Sequence, residues 1–321
     1  MGLPVTVYSW DDAGAPQLTS RTPSAFIDVL KKVLVDGYGT KAGLGWSIAF
    51  EDVAARKIVF RNSTIDGSGG YVQFWCPEGT NTANSRFSYR SAQGMSALDS
   101  FIKPCPLGNI WSTNAPATTQ RWVIIGTAVG FYLFTLSNVY NDYNCQGNQT
   151  CVAFIGDIHS NYNSDIGRFM GITASSTDVT ASAAPSNVFE GFLPRLYQTD
   201  GSSAYVTGVM VRAIVPQSGG ATTKDDDDTV SGINFATGMI VITTSPASNT
   251  TDSVGTPVNR SVLQPYFRGA LPGALTSSFR GYRDKPFPQF RSINGKQHML
   301  TADSSGSTIG CCGWLNIEEW Y

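Results

Sequence analysis

The chain has 321 residues, of which 14% are Asp, Glu, Lys or Arg and only two are His, and its formal net charge is −2. An average soluble domain carries roughly 25% charged residues, so this composition argues against general acid–base catalysis and against a nucleic-acid or anionic-membrane partner. With 41% hydrophobic residues, the chain can bury the core of one large or two ordinary domains.

The N-terminal segment predicts a strand over residues 4–9 and then one helix. Thr22 is suited to the N-cap and Pro23 to the first helical position, while Gly37 is a typical stop. Apolar side chains between them recur on one face. The pattern predicts a helix over about residues 23–36 that packs on one face of a sheet.

Short strands separated by turn residues follow the helix. Gly126 and Gly130 flank the connection of a predicted hairpin. The candidate strands are 46–50, 57–61, 71–76, 86–90, 122–126, 130–135, 152–155, 205–213, 239–244 and 313–320. The fold class that follows is mainly β (α+β), with short antiparallel strands in sandwich- or barrel-like sheets and one packed N-terminal helix. The chain is expected to form one continuous unit over 1–321, with lobes 1–136 and 137–321 as its natural subdivision.

Three polar stretches, 175–187, 217–231 and 245–256, are predicted to be loop insertions. The second contains Asp225, Asp226, Asp227 and Asp228, whose carboxylates are the oxygen ligands that Ca²⁺ prefers. Consecutive residues of an extended chain point in opposite directions, which favours a solvated loop tip over a cation site. Pro and Gly accumulate over 266–288, and this region is predicted to be extended and irregular.

Catalytic motifs are sparse. Asp157 and His159 follow a predicted strand in the Asp-x-His pattern of metallophosphoesterases, but a two-metal site needs further imidazole and carboxylate ligands that the sequence does not supply. Glycoside hydrolysis needs a carboxylate pair, and no pair stands out among the candidates Glu51, Asp66, Glu78, Asp142, Asp157, Asp165 and Glu190. We therefore predict a protein that is not an enzyme and has no catalytic residues, no metal site and no cofactor.

The six cysteines show no zinc-binding spacing. Cys145 and Cys151 flank a short polar loop and could close it as a disulfide. Two reduced thiols in a cytoplasmically made protein are an equally good interpretation.

Arginines alternate with aromatic residues over 266–291. Such a tract could stack nucleic-acid bases, but the chain as a whole is acidic, and Arg and aromatic residues are also enriched at protein–protein interfaces. The predicted interface residues are Tyr266, Phe267, Arg268, Arg280, Tyr282 and Arg283.

Several segments together resemble a group of structural proteins from the particles of tailed bacteriophages. They are residues 5–18, the end of the helix at 34–39, residues 45–50, 121–133, 154–160 with Asp165, 268–273 and 315–320. The resemblance covers most of the chain, from about residue 5 to 320. Its motifs are turns, strand ends and buried Trp residues, so it carries no active site to this sequence.

The resemblance implies a non-enzymatic virion protein, made in the cytoplasm of the bacterial host, whose partners are other copies of itself and other virion proteins. We expect it in the tail, at the tail tip, baseplate or fibre-attachment ring. The alternatives are a head decoration protein and a tail protein that binds or depolymerises a host-surface glycan. No nucleic acid is expected, and no membrane span either, because no stretch approaches the ~20 apolar residues that a spanning helix needs.

Overall fold

The computed structural model describes residues 2–83, 85–111, 121–136, 146–147, 151–172, 188–190, 192–196, 199, 206–210, 235–244, 266–277, 287–301, 303–304 and 312–321. Within these ranges the chain is mainly β, as the sequence predicted. The strands in chain order are β1 (Leu3–Pro4), β2 (Thr6–Ser9), β3 (Ser47–Asp52), β4 (Lys57–Arg61), β5 (Tyr71–Trp75), β6 (Phe87–Ala97), β7 (Ser100–Pro104), β8 (Gly108–Trp111), β9 (Arg121–Gly126), β10 (Gly130–Leu136), β11 (Gln146–Gly147), β12 (Cys151–Asp157), β13 (His159–Ser160), β14 (Phe169–Ile172), β15 (Phe192–Leu196), β16 (Val206–Met210), β17 (Phe235–Thr244), β18 (Tyr266–Ser277), β19 (Phe290–Ile293), β20 (Lys296–Leu300), β21 (Asp303–Ser304), β22 (Cys312–Asn316) and β23 (Glu319–Trp320).

The predicted helix is present and begins at the predicted cap. Helix α1 spans Pro23–Lys31, and the Thr22 hydroxyl accepts a hydrogen bond from the Ala25 N–H at 3.4 Å. A π-helical turn at Lys32–Asp36 continues the helix. Gly37 ends it with a φ of 81°, a backbone conformation that glycine adopts without the penalty a Cβ would bring. A short 3₁₀ turn at Val188–Glu190 is a second helical element of the described chain.

Three larger sheets are built from these strands. The first has six strands, in the order β3–β4–β5–β6–β7 with β8 beside β6, and the second has five, in the order β14–β12–β10–β9–β2. The third has eight, in the order β15–β16–β17–β18–β22–β20–β19 with β13 beside β18. Strands β9 and β10 form the predicted hairpin, and β12 pairs with β10. The five-stranded sheet therefore joins residues from both sides of position 136.

The five-stranded sheet is buried on both faces. Alternate side chains of each strand enter different cores: Trp122 and Ile124 of β9 pack with α1 and the six-stranded sheet. Val123 and Ile125 pack with the eight-stranded sheet. Strands β10 and β12 divide their side chains between the two cores in the same way. The sheet is thus the middle layer of the fold, and each outer layer covers one of its faces.

Strand β18 corrects the expectation of an irregular chain for residues 266–277, whereas residues 278–286 of that tract lie outside the described residues. Tyr266–Ser277 is a continuous strand that pairs with both β17 and β22. Its pairing with β17 shifts register between Thr237 and Met239, opposite the segment that contains Pro272 and Gly273. A bulge of this kind removes the ladder hydrogen bond that proline cannot donate, so the two residues that argued against a strand are accommodated within one.

Other sequence expectations fall outside the described residues. The three predicted loop insertions and the aspartates at 225–228 belong to this group, as does Cys145 of the proposed disulfide. Cys76 and Cys105 are described, and both are buried thiols outside any disulfide. Among the helices of the described ranges, none is long and apolar enough to cross a membrane.

The two-sided burial of the middle sheet makes a direct prediction for stability. Ile124→Ala and Ile125→Ala should each lower the free energy of unfolding by about 2–5 kcal/mol, because each deletes a fully buried side chain from a different core. Ile102→Ala on β7 is the matched control, since Ile102 is 53% exposed and its loss should cost less than about 1 kcal/mol. Urea unfolding measures all three. A small effect at either Ile124 or Ile125 would contradict the three-layer arrangement.

Candidate functional site

A buried ion pair joins strand β18 to the loop that follows β13. The Arg268 Nη2 lies 2.8 Å from the Asp165 Oδ1, the Arg268 Nε donates to the Asp165 Oδ2 at 3.0 Å, and both side chains are fully buried. The Ser160 hydroxyl also donates to the Asp165 Oδ2, at 2.8 Å. This two-point contact fixes both the position and the orientation of the loop.

The burial of Arg268 corrects its expected role at an interface. Its guanidinium is directed into the fold and is already paired with Asp165, so it is not presented to a partner molecule. The sequence could not show this, because an isolated arginine among aromatic residues has the same pattern at an interface and in a buried ion pair. Asp165, 103 residues away in the chain, carried no signal that linked it to Arg268.

Three exposed hydrophobic side chains lie in the two segments that the ion pair joins. Tyr162 is 41% exposed and Ile166 is 56% exposed, both on the loop that carries Asp165. Phe267, the residue before Arg268, is 52% exposed, which agrees with its predicted place at the surface. Of the other predicted interface residues, Tyr266 begins β18, and Arg280, Tyr282 and Arg283 lie outside the described residues.

Two neighbouring clefts meet at His159 of β13, and the first of them is bordered by the same loop. The first has a volume of about 550 Å³ and the second about 320 Å³. His159 and Tyr321 line both clefts, and their rings are stacked, with centroids 6.2 Å apart and an angle of 8° between the planes. We call this stacked pair the ridge, and the two clefts with the ridge between them the groove. The first cleft is lined by Asp66, Asp157, Tyr162, Asn163 and Arg168, and the second by Thr237, Leu271, Asn294, Lys296 and His298.

Asp157 forms part of the first cleft and is held from several sides. Its carboxylate accepts hydrogen bonds from the Ser68 N–H at 2.7 Å and the Ser68 hydroxyl at 2.5 Å, and the Arg168 Nε lies 3.4 Å from it. The Tyr321 hydroxyl donates to the Asp157 carbonyl oxygen at 2.5 Å. Burial raises the pKa of Asp157 above the usual value for aspartate, although Ser68 and Arg168 oppose the shift. These contacts give Asp157 a positioning role in the wall of the cleft.

Two glycines allow the chain to approach closely enough to build the ridge. Gly156 has a φ of 148°, and a side chain there would overlap Gly130 of the neighbouring strand. A side chain on Gly269 would overlap the His159 carbonyl oxygen, so β13 can pair with β18 only because this position has no Cβ. The Gly-Asp-Ile-His segment therefore lies at the end of a strand, as the sequence indicated. Its backbone geometry places His159 in the ridge.

The second cleft has one buried histidine at its wall. His298 is 5% exposed, its Nδ1 lies 3.0 Å from the Lys296 carbonyl oxygen, and burial lowers its pKa. The Lys296 ammonium lies 3.0 Å from the Glu319 carboxylate and 3.4 Å from the Glu318 carboxylate. Both histidines of the chain thus line this cleft. They are 139 positions apart in the sequence, so the sequence did not indicate that they lie close together.

The groove does not have the ligand set of a metal centre. Within the described ranges, no group of three or more His, Cys, Asp or Glu side chains is arranged to hold a metal ion. The Asp157 carboxylate contacts Ser68 and Arg168 instead. What the groove offers chemically is a set of aromatic faces with hydroxyl, amide, guanidinium and carboxylate groups around them.

Comparisons with known proteins identify no family. No protein-family model matches the chain, and a search of curated proteins finds no significant match. The resemblance to virion structural proteins therefore rests on the sequence motifs.

The ion pair makes a prediction about stability. Asp165→Leu should lower the free energy of unfolding by about 3–5 kcal/mol, because it leaves the Arg268 charge buried without its carboxylate. Adding Arg268→Met should recover much of this loss, since a buried ion pair can often be replaced by apolar side chains. Asp36→Ala is the control: it breaks the exposed Lys32–Asp36 pair and should change stability by less than about 1 kcal/mol. Urea unfolding of the wild type and the three variants tests this, and an Asp165→Leu variant as stable as the wild type would contradict it.

Asp157 makes a prediction about pH. The pKa of the Asp157 carboxyl is raised in the folded state, so the folded protein favours the protonated form. The pKa of an aspartate in the unfolded chain is about 4. The wild type should therefore lose stability as the pH rises from about 4 through the raised pKa of the folded state. Asp157→Asn removes this loss. The unfolding temperature of the variant minus that of the wild type should therefore increase as the pH rises, and this difference should become constant above the raised pKa. Thermal unfolding between about pH 4 and 8 measures the difference. Asp66→Asn controls for removing a negative charge from the same cleft, and a parallel course of wild type and Asp157→Asn would contradict the prediction.

Proposed function

We propose that this protein is a non-enzymatic structural component of a tailed-phage particle, associated with the tail and acting through contacts between subunits. The resemblance of its motifs over residues 5–320 to virion structural proteins supports this function. The composition supports it too, because a net charge of −2 with 14% charged residues gives little electrostatic repulsion between copies.

The observation that carries the proposal is the exposure of Phe267 beside a rigidly held ion pair. A large apolar side chain that is half exposed on an ordered strand loses little conformational freedom when a partner covers it. Aromatic anchors of this kind contribute a large share of the binding energy of an interface. Tyr162 and Ile166 lie on the loop that the same ion pair fixes, so the surface is ordered before the partner arrives.

The expected occupant of this surface is a second copy of the chain. In a particle, symmetry-related copies present the same residues repeatedly, and a specific contact buries about 1,600 Å² in total. Phe267 would lie at such a contact, together with Ile166 of the loop that the ion pair fixes. The tail tip, the baseplate and the fibre-attachment ring are the proposed locations.

Self-association of the purified protein tests the proposed interface. Phe267→Ser should weaken it by about 2 kcal/mol, roughly thirtyfold in Kd, if Phe267 is an anchor of the contact. Phe290→Ser is a matched control, since Phe290 is 53% exposed on β19 and Phe267 is 52% exposed. Light scattering over a concentration series measures the oligomer, and equal effects of the two substitutions would indicate non-specific association instead.

Location is tested on the particle itself. Mass spectrometry of purified virions should detect the protein in a fixed ratio to the other tail components, and antibody labelling in electron micrographs should decorate the tail. Absence of the protein from purified virions would refute the proposed function. Labelling of the head would favour the head decoration alternative over a tail position.

A further inference from the structure

We propose that the groove is a binding site for a carbohydrate chain, with successive sugar units in the two clefts and the ridge between them. This goes beyond a structural role in a particle and does not depend on it. The site is assembled from segments that are distant in sequence: residue 66, residues 157–168, β18, β20 and the residue after β23. Its ligand is inferred from shape, surface chemistry and charge.

The shape favours a chain over a compact ligand. Volumes of about 550 and 320 Å³ both fall within the range of roughly 300–1,000 Å³ that small-molecule sites occupy. Because both clefts share His159 and Tyr321 as lining residues, they are neighbouring sites on one surface and are not independent pockets. A ligand of repeating units can occupy both at once and cross the ridge, whereas a single small molecule uses only one.

The surface chemistry matches a sugar. An aromatic ring has a negative face, and the C–H bonds on one side of a pyranose ring are polarised to lie against such a face. Tyr162 and both rings of the ridge line the first cleft. Asn163 and Arg168 line the same cleft and bring amide and guanidinium groups to it, which suit the hydroxyl groups at the edge of the sugar ring.

The charges favour a neutral sugar. Arg168 lies 3.4 Å from the Asp157 carboxylate, and Lys296 lies 3.0 Å from the Glu319 carboxylate, so the cation of each cleft is paired with an acid. An anionic ligand would have to compete with these carboxylates. The contact of Arg168 with Asp157 is made by its Nε, so its terminal nitrogens can donate to neutral hydroxyl groups.

The first experiment asks which ligands bind the full chain. Saturation-transfer NMR is run with neutral glucan, galactan, mannan and N-acetylglucosamine tetrasaccharides, with the corresponding monosaccharides, and with mononucleotides. We expect at least one tetrasaccharide to bind, at least about tenfold more tightly than its monosaccharide, because only the longer ligand reaches both clefts. Binding of none of the tetrasaccharides, equal affinity for the tetrasaccharide and its monosaccharide, or preference for a mononucleotide would overturn the proposal.

The second experiment locates the binding. Tyr162→Ala and Arg168→Gln should each weaken binding of the selected tetrasaccharide by about tenfold, because each removes a stacking or hydrogen-bonding contact. Phe290→Ala, which removes an exposed aromatic side chain outside both clefts, should leave the affinity unchanged. Thermal unfolding confirms that each variant is folded. Unchanged affinity in both cleft variants would overturn the assignment of the site.

A third measurement on the same samples tests the carbohydrate site and the proposed particle function independently. Reducing ends are measured after long incubation of the wild type with the selected tetrasaccharide. Binding without release of reducing ends agrees with both proposals. Binding with release supports the carbohydrate ligand and refutes the non-enzymatic function, whereas binding by a protein that is absent from virions refutes the particle role alone.

Discussion

The burial of the five-stranded sheet on both faces is the constraint on which the rest of the molecule depends. Every side chain in the middle of β9, β10 and β12 enters one of two cores, and a charge at such a position would need a buried partner. The three strands therefore consist largely of apolar residues. A sheet of this kind is stable only with a layer on each side, which explains why so much of the chain forms sheet and why so few residues are charged. Around this middle sheet, charged side chains such as Asp157 lie at the strand ends and at the seams between the layers.

The groove lies at such a seam. Strand β12 belongs to the middle sheet, whereas β13, which begins two residues later, pairs with β18 of the eight-stranded sheet. The chain thus changes layer between Asp157 and His159, and Asp157 is the first ionisable side chain after the apolar run of β12. Its carboxylate is held by Ser68 on one side, and its carbonyl oxygen receives the Tyr321 hydroxyl on the other. A transition between layers leaves side chains that no strand covers, and here they form the walls of two clefts.

Local patterns in the sequence were sufficient for the helix and for the hairpin, because a cap, a stop and a pair of turn glycines act within a few residues. They were insufficient for β18, where Pro272 and Gly273 indicated irregular chain and the pairing with β17 absorbs them in a bulge. They were also insufficient for Arg268, whose partner Asp165 is far away in the chain. The groove is the extreme case: its walls come from several distant segments, and the Gly-Asp-Ile-His motif alone predicted only a strand end. Properties that depend on tertiary pairing had no local signal.

The Arg268–Asp165 pair links the exposed hydrophobic side chains to the groove. Burying two charges costs desolvation energy, and apolar side chains could hold the loop with similar strength, but apolar contacts are not directional. The two-point contact of Arg268 with Asp165, with the Ser160 hydroxyl donating to the same carboxylate, defines one orientation of the loop. That orientation brings Tyr162 to the first cleft and leaves Ile166 exposed to solvent, so a single ion pair sets the geometry of both surfaces. In a chain with so few charges, a fully buried pair at this position is better explained by the need to orient a loop than by a need for stability.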